Sequence, residues 1–122
     1  MTNNSNSKRI YDLEERTFQF AKNVRIFVKK LPKTIANIED GKQIIKASGS
    51  VGANYIEANE SFSKKDFVFR IKICRKEAKE SAYFARLIKE TNSKEFESEG
   101  LVLYNEAVEL KKIFSSILEK SK

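Results

Sequence analysis

The sequence contains no histidine, and this absence removes more chemistry than any other feature of its composition. Histidine is the commonest general base near neutral pH and the commonest metal ligand. Ser-His and Cys-His catalysis is therefore excluded, and so are the Glu-x-x-His pairs of di-iron bundles. The single cysteine, Cys74, can form neither an intramolecular disulfide nor a cysteine-rich zinc site. With no glycine-rich phosphate loop either, we expect a protein that is not an enzyme and binds no cofactor or metal.

Helix breakers and long apolar runs are also scarce. The 122 residues include one proline and four glycines, and charged residues, mostly lysine and glutamate, make up 34%. Such a composition favours long helices, and the length fits one domain. No apolar run approaches the roughly 18 residues that span a bilayer, and the N-terminus has no signal-peptide core. We therefore expect a cytoplasmic helical protein without a membrane partner, which the single cysteine also suits.

Apolar residues recur at helical spacing in four segments. The predicted helices cover residues 13–30, part of 35–60, 64–90 and 95–120. Pro32 ends the first helix, because a proline displaces the preceding residue from the α region. Either Thr34 caps the second helix or a short turn precedes a later start, and Ser63 can cap the third. Short connections make consecutive helices antiparallel neighbours. The pattern predicts an all-α, antiparallel, up-and-down four-helix bundle over residues 11–122, after a disordered polar tail over residues 1–10.

Two glycines, Gly49 and Gly52, interrupt the middle of the second helix. Each costs about 1 kcal/mol relative to alanine within a helix. One interpretation is a loop that splits the helix. However, Ile44, Val51 and Tyr55 stay in phase across the glycines, which favours a continuous helix. Close approach of another backbone would then explain the small residues.

The third helix has an unusually wide apolar stripe. Its centre consists of Phe67, Ile71, Cys74, Ala78, Ala82 and Ala85. A second set widens it: Phe69, Ile73, Tyr83, Phe84 and Leu87. A stripe of this width covers more than one partner helix, so we expect it to serve both the core and a subunit interface. Cys74 at its centre is then a small buried hydrophobe.

Positive charge is concentrated on two helices. The formal net charge is +7, and residues 1–33 and 64–90 each carry +5. On the third helix the predicted nucleic-acid-binding residues share one face: Lys65, Lys72, Lys76, Lys79 and Arg86. Such a face is typical of phosphate contacts with RNA or DNA. The alternative is an ordinary solvated face, interleaved with Glu80 and Glu90. No helix-turn-helix and no aromatic stacking platform is evident, so binding should depend on salt rather than on base sequence.

Several polar residues of the second and third helices are interpreted as structural. A hairpin that turns at Phe62 brings Glu57 level with Arg70, and Lys46 level with Glu77. We therefore predict two cross-helix ion pairs, because charges at an interface are usually paired. The alternative is a metal or catalytic site formed by Glu57, Glu77 and Glu80.

Residues 43–87 resemble the four-helix-bundle family encoded by intervening sequences in bacterial 23S ribosomal RNA genes. The segment Ser50-Val51-Gly52-Ala53-Asn54-Tyr55-Ile56-Glu57-Ala58 is similar to the family's Ser-Ile-Pro-Ala-Asn-Ile-Ala-Glu-Gly. Further matches are Leu31-Pro32, Lys65-Asp66-Phe67 and Lys76-Glu77-Ala78-Lys79-Glu80. The sequence departs from the family pattern at Gly52, where the family has proline, and at Ala58, where it has glycine. Residues 34–40 are an addition relative to the family pattern.

The resemblance implies a bundle that assembles as a homopentamer. Related proteins accompany diversity-generating retroelements, where basic pentamers bind a reverse transcriptase and nucleic acid. The resemblance marks Asn54, Glu57, Glu77 and Glu80 as the family's polar positions, which we interpret as packing and interface residues. A reverse transcriptase, RNA, DNA and further copies of the chain are thus the expected partners.

Overall fold

The structure, a computed structural model, describes residues 3–122, with side chains from residue 12 onward. The helices of this part are α1 (Asn3–Lys30), α2 (Ile35–Asn59), α3 (Lys64–Thr91) and α4 (Glu97–Lys120). A 3₁₀ turn, Lys94–Phe96, precedes α4, and the described residues contain no strand. The predicted all-α bundle is confirmed, whereas its antiparallel order remains a prediction. None of the described helices is long and apolar enough to cross a membrane.

Local capping explains where the middle helices begin. α1 ends just before Leu31 and Pro32, as predicted. The Thr34 hydroxyl accepts a hydrogen bond from the backbone N–H of Asn37 at 3.1 Å, so α2 begins at the earlier of the two candidate positions. The Ser63 hydroxyl accepts one from the N–H of Asp66, also at 3.1 Å. Each cap satisfies a donor that the first helical turn leaves unpaired.

The outer helices differ from the prediction at their starts. α1 begins at Asn3 rather than Leu13, since no proline or glycine interrupts the chain between these positions. The predicted tail over residues 1–10 remains untested, because Met1, Thr2 and the side chains up to residue 11 lie outside the described part. α4 begins two residues later than predicted. The preceding 3₁₀ turn buries Phe96, whose ring packs edge-on against Phe27 at 6.5 Å between centroids.

Helix α3 packs extensively against both α2 and α4, whereas α1 packs mainly on α2. The buried face of α3 is rich in small side chains: Cys74, Ala78, Ser81, Ala82 and Ala85. Small residues let neighbouring helix backbones approach closely. Cys74 is fully buried, as predicted, and its thiol donates to the Val51 carbonyl at 3.4 Å. Burial raises the pKa of this thiol to about 12, so it stays protonated near neutral pH.

Charged contacts join α1 to α4. The Arg16 guanidinium donates from Nε and Nη2 to the two carboxylate oxygens of Glu106, at 2.7 and 2.8 Å. Near the other end of this seam, Lys30 Nζ lies 3.1 Å from Glu99 Oε1. An open groove of about 420 Å³ lies beside the Arg16 pair. Apolar packing therefore contributes less to this seam than to the other helix contacts.

A reciprocal amide pair holds the α1–α2 connection against the end of α3. Asn37 is buried, and its Nδ2 donates to Asn92 Oδ1 at 2.8 Å and to the Pro32 carbonyl at 2.9 Å. In return Asn92 Nδ2 donates to Asn37 Oδ1 at 2.9 Å and to the Ile88 carbonyl at 2.9 Å. The two amides thereby satisfy one backbone carbonyl in the α1–α2 connection and one in the last turn of α3.

Helix α2 is continuous across its glycines, as predicted. A Cβ atom at Gly52 would lie 3.0 Å from Thr17 Oγ1 and 3.3 Å from Thr17 Cβ, on α1. Thr17 is buried, and its hydroxyl donates to the Glu14 carbonyl at 2.9 Å, so it has little room to move. The close neighbour at Gly52 is therefore α1. At Gly49 a Cβ would meet only the end of the Arg25 side chain, 3.2 Å away.

We expect Gly52→Ala to destabilise the fold by roughly 1 kcal/mol. Overpacking typically costs about 1–3 kcal/mol, and the helix propensity of alanine offsets about 1 kcal/mol of this cost. Gly49→Ala is the matched control, since the flexible Arg25 guanidinium can move aside. It should stabilise by up to about 1 kcal/mol. Urea unfolding of both variants measures the difference, and equal stabilisation by both would contradict close α1–α2 contact at Gly52.

Candidate nucleic-acid interface

The five basic residues predicted to bind nucleic acid lie together on the solvent side of α3. Each of these side chains is exposed: Lys65, Lys72, Lys76, Lys79 and Arg86. The opposite side of the helix is buried against α2 and α4, as Ile71, Ala78 and Ile88 show. The structure therefore presents these cations on one rigidly supported surface. Their contact with nucleic acid remains a prediction.

Neighbouring carboxylates engage only part of this surface. Arg86 Nε donates to Glu90 Oε2 at 3.0 Å, and Lys76 Nζ lies 3.8 Å from Glu77 Oε2. The Arg86–Glu90 hydrogen bond raises the pKa of the guanidinium and lowers that of the carboxyl group. Among the described residues, Lys65, Lys72 and Lys79 have no carboxylate oxygen within 4.0 Å. These three ammonium groups are available to an external anion.

Two aromatic rings lie on the same exposed surface. Phe69 is 58% exposed and Tyr83 is 59% exposed. In the single chain these two rings lie outside the core, whereas Ile73, Phe84 and Leu87 are partly buried. The expectation that the widened stripe also serves a subunit interface remains a prediction. The small buried residues set the rotation of α3, and both rings fall on its outer side. The sequence pattern placed both rings in the widened stripe and did not show which of its residues the core would cover.

A polar seam joins α2 and α3, but the predicted Glu57–Arg70 ion pair is absent. Arg70 Nη1 donates instead to Asn54 Oδ1 at 3.0 Å. Asn54 Nδ2 in turn donates to the carbonyl and hydroxyl oxygens of Ser50, both at 2.9 Å. Glu57 lies one turn further along α2, where its side chain is exposed to water. The partly buried arginine thus bonds the nearer amide, and the carboxylate keeps its hydration.

The predicted Lys46–Glu77 ion pair is also wrong, since the cation within 4.0 Å of Glu77 is Lys76. The Glu77 side chain is only 17% exposed. Burial raises the pKa of its carboxyl group, and the charge of Glu80 raises it further. The charges of Lys76 and Lys46 oppose this shift, so Lys46 acts on Glu77 through space without a direct contact.

The structure offers no support for the alternative of a metal held by glutamates. Within residues 12–122, no group of three or more histidine, cysteine, aspartate or glutamate side chains could hold a metal ion. Glu57 is exposed, whereas Glu77 and Glu80 lie beside each other on α3. The interpretation of Asn54, Glu57, Arg70, Glu77 and Glu80 as packing and interface residues remains a prediction.

Replacing Glu77 by glutamine should raise the melting temperature at pH 7 and leave it unchanged near pH 4. The folded-state pKa of Glu77 lies above its ordinary value. The folded state therefore binds the proton more tightly, and stability falls as pH rises through the interval between the unfolded and folded pKa values. Because glutamine has no carboxyl group to ionise, the variant does not lose this stability as the pH rises. Near pH 4, just below the ordinary value of about 4.3, most of the carboxyl groups are protonated in both states, so the difference between the two proteins largely disappears.

The matched control is Glu57→Gln, which removes the same charge from an exposed side chain of α2. It should leave the melting temperature unchanged at both pH values. Thermal unfolding followed by circular dichroism measures all three proteins. A lower melting temperature for Glu77→Gln at pH 7 would show that the lysines stabilise the carboxylate more than burial penalises it.

The chain resembles known proteins over most of its length. Residues 10–116 match the family described as 23S rRNA-intervening sequence protein. A crystal structure from Bacteroides thetaiotaomicron, of a protein with unknown function from the S23 ribosomal protein family, is 26% identical in sequence. The match covers 90% of this chain and 97% of that chain, with a TM-score of 0.73. No curated protein matches the chain. Because the matched residues extend from α1 into α4, the chain belongs to the 23S rRNA-intervening sequence protein family.

Proposed function

We propose that the protein is a non-catalytic, oligomeric helical bundle that binds the RNA or DNA backbone through α3. The observation that carries the proposal is the exposure of five cations on one face of this helix. Three of them, Lys65, Lys72 and Lys79, have no carboxylate within 4.0 Å among the described residues. Charges left unpaired on a rigid surface attract a polyanion with little loss of existing contacts.

The length of the basic face suits several phosphates. Lys65 and Arg86 are 21 positions apart, which corresponds to about 30 Å along an α-helix. A nucleic-acid backbone places several phosphates within that distance. Lysine binds phosphate as a flexible point charge and reads no base edge, so affinity should vary little with sequence. Displacement of counterions from the backbone makes such binding fall steeply with salt.

A second candidate function is docking of a protein partner, such as a retroelement reverse transcriptase. The surface that favours it lies on α1 and α2, away from the basic face of α3. Phe18 and Ile26 are 59% and 41% exposed there, beside an open groove of about 530 Å³ that Lys22, Arg25 and Lys29 also line. Exposed rings and aliphatic groups in a groove are typical of protein interfaces. The same surface is a candidate contact between copies of the chain in the proposed oligomer, which the resemblance implies to be a homopentamer.

Replacing Lys72, Lys76 and Lys79 by alanine should weaken binding to both RNA and DNA. If each lysine contacts a phosphate, the slope of log K against log salt should fall by about 2–3, or nearly one per lysine. Fluorescence anisotropy with labelled RNA and DNA, repeated over a range of salt concentrations, measures the slope. Light scattering on the same samples gives the mass of the particle, which we expect to be several chains.

The matched control removes three lysines from other faces: Lys42 of α2, with Lys112 and Lys120 of α4. All three are exposed, so the net charge changes equally while the α3 surface stays intact. The control should keep most of the affinity and of the salt slope. Equal loss by both variants would show a general charge effect and overturn the assignment to α3. If the parent protein fails to bind even at low salt, protein docking becomes the better hypothesis.

A further inference from the structure

The exposed face of α3 carries five cations and two aromatic rings in one regularly spaced row. Seven exposed residues follow one another at spacings of four, three, four, three, four and three positions, and we call them the basic–aromatic stripe: Lys65, Phe69, Lys72, Lys76, Lys79, Tyr83 and Arg86. Residues three and four apart are neighbours on a helix surface. The stripe is therefore one continuous row on the side of α3 that faces away from α2 and α4.

Each ring lies between two cations. Phe69 has Lys65 and Lys72 as its neighbours along the stripe, and Tyr83 has Lys79 and Arg86. The two rings are 14 positions apart, about 21 Å along the helix. More than half of each side chain is open to water. The row therefore suits a ligand that offers several negative charges together with flat apolar groups.

Tyr83 is also held in position. Its ring meets Phe84 edge-on, with the centroids 5.1 Å apart and the planes at 86°. Phe84 is partly buried against the core, so it restricts movement of the Tyr83 ring. An aromatic side chain fixed in this way and still exposed suits stacking with a second flat ring.

The stripe does not suit a second copy of itself. Such a contact would place the five cations of one copy against the five cations of the other, and like charges at contact distance repel. It also differs from a membrane-binding face, which has a continuous apolar strip with cations at its edges. Here cations separate the two rings, Glu80 lies beside the stripe, and Glu90 follows Arg86 at its C-terminal end.

We propose that the basic–aromatic stripe binds single-stranded nucleic acid, with unpaired bases stacked on Phe69 and Tyr83 and phosphates held by the adjacent cations. This inference rests on the proposed function of α3 as a backbone-binding surface, and it names the form of nucleic acid. Bases of a duplex are stacked on one another and give a protein ring no free face. Bases of a single strand are available, and base–aromatic stacking tolerates any sequence.

A unique tryptophan can report the stacking, because the chain contains none. Phe69→Trp and Tyr83→Trp each place an indole within the stripe, where stacking on a base should quench its fluorescence. Val102→Trp is the matched control, since Val102 is 63% exposed on α4. An oligothymidylate single strand should quench the two stripe variants to saturation and leave the control unchanged. A duplex of the same length should quench none of them appreciably.

Affinity gives an independent measurement. The double variant Phe69→Leu with Tyr83→Leu keeps apolar, helix-forming side chains and all the charges. Its affinity for oligothymidylate should fall at least about fivefold, as expected for the loss of base stacking. Its affinity for the duplex and its salt slope should not change. The triple lysine variant, in contrast, should weaken binding to both forms.

Three outcomes overturn the inference in distinguishable ways. If the leucine variant binds the single strand as tightly as the parent does, the rings make no stacking contact. The proposed binding of the nucleic-acid backbone by α3 would then remain, without the stacking. If the parent binds neither form, the proposed function fails as well. If phosphatidylglycerol vesicles enhance and blue-shift the tryptophan emission while oligothymidylate leaves it unchanged, the stripe is a membrane-binding surface instead.

Discussion

Helix α3 lies between α2 and α4, and the small side chains on its buried face let both neighbours come close. Ala78 and Ala85 are fully buried among larger groups such as Ile71 and Ile88. Successive residues of a helix are rotated by about 100°, so a buried face that is fixed on one side also fixes the exposed face on the other. The position of every cation and ring on the surface of α3 follows from this packing. A rotation of α3 that exposed its alanines would bury lysines, which the core could not hydrate.

Helix α1 is attached in a different way. It approaches α2 closely at Gly52 and Thr17, but charged contacts carry much of its seam with α4. Exposed ion pairs contribute little, typically about 0–1 kcal/mol each. The bidentate Arg16–Glu106 pair is the best placed of them, with both carboxylate oxygens engaged. An open groove lies beside this pair, and the exposed ring of Phe18 lines a second groove between α1 and α2.

The two chemically distinctive groups of the described part also follow from packing. Cys74 has a raised pKa because α2 and α3 enclose its thiol, and Glu77 because its carboxylate is mostly covered. The thiol of Cys74, buried and protonated, is a poor nucleophile. The exposed face of α3 has the opposite character, since its charges are hydrated and its rings uncovered. The binding that we propose for this face depends on electrostatic attraction and stacking.

Local interactions made much of the fold predictable from the sequence alone. Pro32 ends α1, Thr34 and Ser63 cap the next two helices, and the apolar period places Ile71 and Ala78 in the core, because each signal depends on residues close in the chain. The family resemblance and the shared face of the five cations were readable for the same reason. Only the tertiary structure decided that Arg70 bonds Asn54 rather than Glu57, and that Asn37 pairs with Asn92. It also decided that Phe69 and Tyr83 face water, because the exposure of a ring depends on which other helices reach it, and the pattern within one helix does not contain that information.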